Sequence, residues 1–411
     1  MRTVVRLLIG CSLVAGLCVT APAVSAAPVS PAAAPNLAGS FEPVAAKRVL
    51  DTRSGLGGFK GLVAPGQTVT VNLSQARPNA NPVSAAVIDV TVPTPAPAGS
   101  LSVFPGGTSW DGRVTMSLTG GGTIQQQLTV RLGADGAVTI RSNAVRSTHI
   151  LVDALGFYVA GTPSQPGMLD TSKNLRVLDT RAGNPLLPGG RITLAMLGRP
   201  LPASGASAVV LNIAVLSART TGMLSITDSG GGQATKHLRF LGNSGTPQTM
   251  QTQRVVKLGS DGKLTFTQSS SSGVHLVIDF AGYFLPGPVA DEGGYVALSP
   301  RSLYGGQRIV LHHRTPTNVA VTPALASQAS AYNIVVSTDR PGQPSLLGLY
   351  NADAPWSGSA TVSSSPALQP SELTVAAGAH GTIALRNLYD APETWLHAYV
   401  TGYYYKLPAT A

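Results

Sequence analysis

Cysteine is almost absent from this 411-residue sequence: it occurs at Cys11 and Cys18 and nowhere after them. Disulfides, thiolate nucleophiles and zinc–thiolate sites are therefore excluded from the rest of the chain. Aromatic residues (5%) and charged residues (11%) are also scarce. The surface must therefore be built largely from Ser, Thr, Gly, Gln and Asn.

Long apolar runs are missing too, apart from Leu7–Thr20 near the N-terminus. This run follows Arg2 and Arg6 and precedes the small residues Val24-Ser25-Ala26, which is the pattern of a cleavable signal peptide over 1–26. It is too short for a transmembrane helix, which needs about 20 residues. We therefore expect an exported protein that is extracellular or associated with the cell surface and has no membrane span.

Acidic residues are outnumbered by basic ones. Removing Arg2 and Arg6 with the signal leaves 26 Lys and Arg against 18 Asp and Glu, a net charge of +8. Such a balance favours weak, salt-screened attraction to anionic envelope polymers. Nucleic acid is not expected as a partner, because no Lys/Arg cluster with interleaved aromatics occurs.

Sequence motifs of common catalytic sites are also missing. The chain has no Gly-x-Ser-x-Gly, no His-Glu-x-x-His and no Gly-x-x-x-x-Gly-Lys-Ser/Thr. His149 and His275 supply one histidine per repeat, and the adjacent His312 and His313 would face opposite sides of a strand. We therefore predict no metal site, no cofactor and no enzymatic activity.

Two long segments of the chain repeat each other. Arg48-Val-Leu-Asp-Thr-Arg53 recurs identically at 176–181, and Leu132-Gly-Ala-Asp-Gly136 recurs with one change at 258–262. The closing segment 149–158, HILVDALGFY, recurs as HLVIDFAGYF at 275–284. A weaker third copy opens at 298–301 and closes with Gly402-Tyr403-Tyr404. Landmarks in fixed order at one offset indicate duplication.

These landmarks divide the chain into a Pro/Ala-rich linker at 27–45 and units at 46–161, 162–289 and 290–411. Period-2 alternation and β-branched residues predict eight short strands in unit one, at 48–52, 68–73, 86–92, 100–104, 114–118, 127–132, 137–142 and 149–159. No window shows helical periodicity. The fold class we predict is all-β, with three tandem jelly-roll-like β-sandwiches.

Asp135-Gly136 and Asp261-Gly262 predict tight hairpin turns. Beads and a pseudo-threefold arrangement of the units both remain open.

Six charged residues recur at matching positions in the first two units: Asp51, Arg53, Asp153, Asp179, Arg181 and Asp279. In the third copy Ser299 and Tyr399 replace the two aspartates, so we expect the opening and closing aspartates to share one environment. Charges partly buried in a sandwich must be paired. We therefore predict a structural polar cluster in which Arg53 meets Asp51 or Asp153 and Arg181 meets Asp179 or Asp279. Calcium binding or acid–base glycoside cleavage by these carboxylates is the alternative.

Trp110 and Trp356 occupy equivalent loops of units one and three, six residues after Phe104 and Tyr350. A tryptophan at a loop tip can stack on a sugar ring, so both are candidate ligand-binding residues. Alternatively, each ring covers the end of its own core or a seam between units.

The opening Arg-Val-Leu-Asp-Thr-Arg, the Leu-Gly-x-Asp-Gly turn and the closing Asp-x-x-Gly-Phe/Tyr-Tyr/Phe together resemble a repeat of secreted actinobacterial proteins. The resemblance covers nearly all of 46–289 and reaches 290–411 only by position. It implies a surface or extracellular accessory module and no defined reaction.

The function we predict is therefore a secreted, non-catalytic module that binds carbohydrate or another cell-wall polymer. A structural matrix or coat protein that self-associates through its own repeats is the first alternative. A secreted hydrolase is the second.

Overall fold

The computed structural model describes residues 39–77, 82–159, 168–171, 175–196, 198, 201, 205–228, 235–285, 293–304, 307–321, 323–338, 345–356, 362–364, 370–388 and 393–406. Within these ranges the chain consists of antiparallel strands, three short 3-10 turns and one four-residue helix, α1 (Pro323–Ala326). The predicted all-β class is confirmed. No described helix has the length and apolarity needed to cross a bilayer. The predicted signal peptide, 1–26, lies outside the described residues.

Unit one is an eight-stranded sandwich. Its strands are β1 (Ser40–Asp51), β2 (Thr68–Asn72), β3 (Val83–Val92), β4 (Ala96–Pro105), β5 (Met116–Gly121), β6 (Ile124–Arg131), β7 (Ala137–Ser142) and β8 (Leu151–Val159). One sheet has the order β1-β8-β3-β6 and the other β2-β7-β4-β5. Strands that alternate between two four-stranded sheets in this order form a jelly roll.

Units two and three repeat this topology. Unit two contains β9 (Leu169–Asp170), β10 (Leu175–Asp179), β11 (Arg191–Ala195), β12 (Ala208–Ala218), β13 (Gly222–Asp228), β14 (Thr235–Phe240), β15 (Gln248–Lys257), β16 (Lys263–Gln268) and β17 (His275–Phe284). Unit three contains β18 (Tyr295–Ser302), β19 (Ile309–His312), β20 (Pro316–Ala320), β21 (Ala329–Thr338), β22 (Ser345–Asn351), β23 (Val362–Ser364), β24 (Ser371–Ala376), β25 (Thr382–Asn387) and β26 (Glu393–Tyr405). Their sheets run β10-β17-β12-β15 with β11-β16-β13-β14, and β18-β26-β21-β24 with β20-β25-β22-β23.

Two sequence expectations need correction. The predicted linker 27–45 is wrong at its C-terminal end, because β1 begins at Ser40 and Phe41 pairs with Tyr158 of β8. Asp135-Gly136 does form a turn, closed by the Gly136 amide donating to the Gly133 carbonyl (2.9 Å) with Gly136 at φ 74°. It is not a hairpin, because β6 and β7 belong to opposite sheets. The same holds for Asp261-Gly262 between β15 and β16.

The three units share one apolar core in addition to their own cores. In β3, Ala86, Ile88 and Val90 point into the sandwich of unit one, while Ala85 and Val87 on the opposite face pack against the other units. The shared core contains Phe41, Ala85, Val87, Leu155, Tyr158, Leu169, Ala208, Val210, Phe284, Tyr295, Ala331 and Tyr404. All three units contribute to it, so the chain is not a string of beads.

Equivalent rings of the three units meet at the centre of this core. The centroids of Tyr158, Phe284 and Tyr404 lie 6.4, 6.3 and 6.2 Å apart, which is a nearly equilateral triangle. The hydroxyls of Tyr158 and Tyr404 are 2.7 Å apart and share a hydrogen bond. Three equivalent residues at these separations define a pseudo-threefold axis, which we call the aromatic axis.

The closing motif of each repeat supplies this ring because successive side chains of a strand point to opposite faces of the sheet. Of its two adjacent aromatics, the first packs inside its own sandwich, as Phe157 does, and the second, as Tyr158 does, reaches the axis. The preceding glycine is required sterically. A Cβ on Gly156 would lie 2.4 Å from the Phe41 ring, and one on Gly402 would lie 2.2 Å from the Tyr295 hydroxyl.

The seams between the units repeat one contact three times. In the first seam the Val255 amide donates to Gln127 Oε1 (2.7 Å) and Gln127 Nε2 donates to the Val255 carbonyl (3.1 Å). Gln253 makes the same pair of bonds to Thr374, at 2.5 and 3.0 Å. Strand register shows that Gln127 and Gln253 are equivalent positions.

Glu372 occupies this position in the third seam. It accepts a hydrogen bond from the Thr129 amide through Oε2, and Thr401 Oγ1 and Asn333 Nδ2 lie 3.3 and 3.4 Å from Oε1. Burial between the units raises the pKa of Glu372 to about 8, although these hydrogen bonds lower it. An ionised carboxylate has no hydrogen to donate, so it cannot complete the two-bond clamp that the glutamines make.

We predict that Phe284→Ala destabilises the whole chain. Removing a fully buried ring leaves a cavity that all three units border, at a cost of about 3–5 kcal/mol. Urea unfolding should show a lower midpoint in a single transition. Tyr304→Ala is the control, since Tyr304 is 50% exposed and its loss should cost less than about 0.5 kcal/mol. Independent unfolding of unit two alone would contradict a shared core.

Stability should also depend on pH through Glu372. Its pKa is raised on folding, so the folded state retains the proton as pH rises, and the stabilisation is complete below about pH 4.5 and lost by about pH 8. Glu372→Gln should remove this pH-dependent part of the free energy of unfolding, about 1–4 kcal/mol, as measured in urea titrations at pH 5, 6.5 and 8. Gln253→Glu is the matched variant and should add a second slope of the same sign. Equal slopes in the wild type and Glu372→Gln would contradict the assignment.

Candidate functional site

The structure brings the predicted charged residues of unit one together, with one addition. Arg53 binds Asp51 through Nε and Nη2 at 2.9 and 2.7 Å, and its amide also donates to Asp51. Asp153 is bound instead by Arg48, through Nε and Nη2 at 2.5 and 2.9 Å. Arg48 Nη1 lies 3.4 Å from Asp51 Oδ2, so this arginine joins the opening and closing aspartates.

Unit two repeats this network. Arg181 binds Asp179 at 2.9 and 2.5 Å, and Arg176 bridges Asp179 (3.1 Å) to Asp279 (2.9 Å). The cluster lies at the rim of each sandwich, with the Arg53 and Arg181 side chains 50% exposed. The bridging arginines, Arg48 and Arg176, were not among the residues predicted from sequence.

The described residues of unit three form no equivalent cluster, and strand register corrects the sequence alignment of this unit. Tyr399 does stand at the position of Asp153. Ser302, however, is equivalent to Arg48, and Ser299 is equivalent to Ala45 rather than to Asp51. Ser299 lies across the seam from unit one, where it accepts a hydrogen bond from Arg131 Nη1 (3.3 Å).

Electrostatics of the cluster favour structural pairing over metal binding. Hydrogen bonds from Arg53, followed by the charges of Arg53 and Arg48, lower the pKa of Asp51 to about 2 in spite of partial burial. Arg181 lowers the pKa of Asp179 in the same way. Two guanidinium groups at Asp51 and two at Asp179, and one at each closing aspartate, repel a cation. Among the described residues no group of three or more His, Cys, Asp or Glu is placed to hold a metal ion.

The two candidate tryptophans are held in the same way. Arg141 stacks on Trp110, with its Cζ 4.5 Å from the ring centroid, and Arg386 stacks on Trp356 at 4.4 Å. These arginines occupy equivalent positions on β7 and β25. Trp110 Nε1 also donates to the Arg113 carbonyl (3.1 Å), and Trp110 remains 39% exposed. An arginine therefore covers one face of each ring.

Trp110 differs from Trp356 in its surroundings, because it lines a groove between units one and three. The groove has a volume of about 790 Å³. Unit one supplies the 102–105 and 108–115 segments and the end of β6; unit three supplies 298–300 together with residues of β21, β24 and β26. Trp110 is predicted from the sequence, but the groove itself is not, since it exists only where two units meet.

The chemistry of the groove is mixed. Arg113 lies over the Tyr399 ring at 5.2 Å and pairs with Asp111 at 2.5 Å. Arg131 is exposed at the end of β6, and the partly buried Glu372 lies on the opposite wall. Aromatic surfaces with a few convergent polar groups are typical of small-molecule and sugar sites. The arrangement can therefore stack a ring and bind polar or anionic substituents.

Comparisons with known proteins give structural likeness only. No protein-family model and no curated protein matches the chain. The chain is similar to a structure of Sulfolobus turreted icosahedral virus, with 11% identity over 90% of this chain and 92% of that one and a TM-score of 0.18. It is similar to a tandem CBM22-1–CBM22-2 domain from Paenibacillus barcinonensis, with 10% identity, coverage of 62% and 100%, and a TM-score of 0.19. At these TM-scores the chains do not superpose as wholes, so the assignment of jelly rolls rests on the strand order.

Proposed function

We propose that this protein is an exported, non-catalytic module that binds carbohydrate of the cell envelope in the groove between units one and three. The observation that supports it most directly is the placement of Trp110. Its side chain is 39% exposed in a groove of about 790 Å³, where Arg141 stacks on the ring and the Arg113 carbonyl accepts a hydrogen bond from its Nε1. A pre-positioned aromatic ring loses little entropy when a sugar stacks on it.

The wider setting of the groove fits the same function. Tyr399 and Trp110 supply aromatic surface, while Arg113, Arg131 and His397 supply hydrogen-bond donors of the kind that sugar hydroxyls accept from. The N-terminal signal pattern and the positive net charge support export and attraction to anionic wall polymers. The resemblance to secreted actinobacterial repeats agrees with an accessory role.

A non-catalytic role is favoured by the pairing of the carboxylates. Asp111 is bound by Arg113, and the repeated aspartates of units one and two are bound by arginines. Glu372 is the exception in the groove, since its raised pKa leaves it protonated near neutrality, as a general acid requires. Hydrolysis is therefore the second candidate function.

We predict that Trp110→Ala weakens binding to isolated cell walls, and to the oligosaccharides of a glycan panel that bind, by about tenfold, which is the effect of losing about 1.4 kcal/mol of stacking. Binding is measured by co-sedimentation with the walls and by titration calorimetry with the soluble glycans. Trp356→Ala is the matched control, because Trp356 has the same arginine stack but does not line the groove. It should bind as the wild type does.

Equal losses in the two variants, or none in either, would overturn the groove as the binding site. Release of reducing ends from the walls, abolished by Glu372→Gln, would assign hydrolysis in place of binding alone.

A further inference from the structure

Among the described residues, equivalent grooves lie at the seam of units three and one and at the seam of units one and two. Strand register relates the walls position by position. Leu298-Ser299-Pro300, Val335 and Glu372 of the first groove correspond to Val44-Ala45-Ala46, Asp89 and Gln127 of the second. Pro105, Leu128 and Arg131 correspond to Asp228, Arg254 and Lys257.

The second groove, which we call the closed groove, is filled by ion pairs between the protein's own side chains. Arg254 of unit two binds Asp89 of unit one at 2.5 Å, and both side chains are at most 6% exposed. Lys257 lies 3.5 Å from Asp228. Two cations therefore meet two anions inside this groove, and its remaining volume is about 60 Å³.

The first groove, which we call the open groove, has a cation at Arg131 but lacks the equivalents of Asp89 and Asp228. Leu128 and Val335 replace Arg254 and Asp89, so the buried ion pair is gone. Arg131 replaces Lys257, but Pro105 replaces Asp228, its carboxylate partner. Among the described residues Arg131 contacts Ser299 Oγ (3.3 Å) and pairs with no carboxylate. The groove is open, at about 790 Å³.

We infer that the open groove binds an acidic carbohydrate, whose carboxylate or phosphate pairs with Arg131 while a sugar ring contacts Trp110. This inference rests on the proposed carbohydrate function and names the class of sugar. The ligand's anion takes the place that Asp228 fills in the closed groove. Arginine suits this role because its planar guanidinium can bind a carboxylate or a phosphate with two hydrogen bonds.

The test uses the full chain and a panel of uronic-acid and muramic-acid oligosaccharides, each compared by calorimetry with its carboxyl methyl ester. At least one acid should bind about tenfold or more tightly than its ester, which corresponds to one charge-assisted contact. Arg131→Gln should remove that difference, so that the acid and its ester bind this variant equally. Arg131→Lys should restore part of it. Lys257→Gln, the same change of charge in the closed groove, should alter neither affinity.

A sugar phosphate assayed beside its neutral parent sugar distinguishes phosphate from carboxylate as the source of the anion. If acids and esters bind equally in wild type and Arg131→Gln, with Trp110→Ala still weakening both, the acidic class is wrong and carbohydrate binding stands. If no sugar on the panel binds in a manner that depends on Trp110, the proposed function fails and this inference fails with it.

Discussion

Packing of Tyr158, Phe284 and Tyr404 around the aromatic axis is the interaction on which the rest of the structure depends. Each ring is at most 1% exposed, and each comes from the last strand of a different jelly roll. A jelly roll buries one face of each sheet in its own core and leaves the other face free. Here the free face of the inner sheet carries apolar residues around the axis in all three units, and burying them against one another fixes the relative positions of the units. The seams and the groove exist because the axis brings the edge strands together.

The sandwiches themselves could be predicted from local pattern. Eight strands follow from period-2 alternation in unit one, and their expected positions agree closely with β1–β8. The sequence does not predict the start of β1, because Pro43 and the alanines near it are typical of a linker. In the structure Phe41 packs against the rings of the axis and holds this part of the chain in the sheet. Asp135-Gly136 predicts a hairpin because strands that are adjacent in sequence usually pair, whereas in this jelly roll β6 and β7 belong to opposite sheets. One signal of the axis was present in the sequence: Ala85–Val90 and Ala208–Val215 contain apolar runs, which indicate a strand buried on both faces.

The candidate site was harder to predict, for two physical reasons. First, pairing within a strand was inferred from residues two apart, which explains Arg53 with Asp51. A register shift between Arg48 and Leu50 sets Arg48 opposite Asp153, and no spacing rule anticipates a bulge. Second, contacts such as Arg254 with Asp89 or Glu372 with Thr129 join residues of different units that are more than 160 positions apart in sequence. They depend on the angle and height at which the sandwiches meet, which is decided by the packing of rings at the axis.

Divergence among the repeats has a physical meaning once the axis is known. Three identical units would make three identical seams, and a charge unbalanced in one groove would be unbalanced in all three. Unit three has Glu372 at the position of Gln127 and Val335 at the position of Asp89. These differences change one seam, while the axis holds the other contacts in place. In unit three Tyr399 stands at the position of Asp153 and contacts Arg113 of unit one. Asp153 pairs with Arg48 at the edge of its own sandwich, whereas Tyr399 lines one wall of the open groove. Function in this fold is thus best sought where the pseudo-symmetry is broken, since the symmetric contacts are already satisfied by the protein itself.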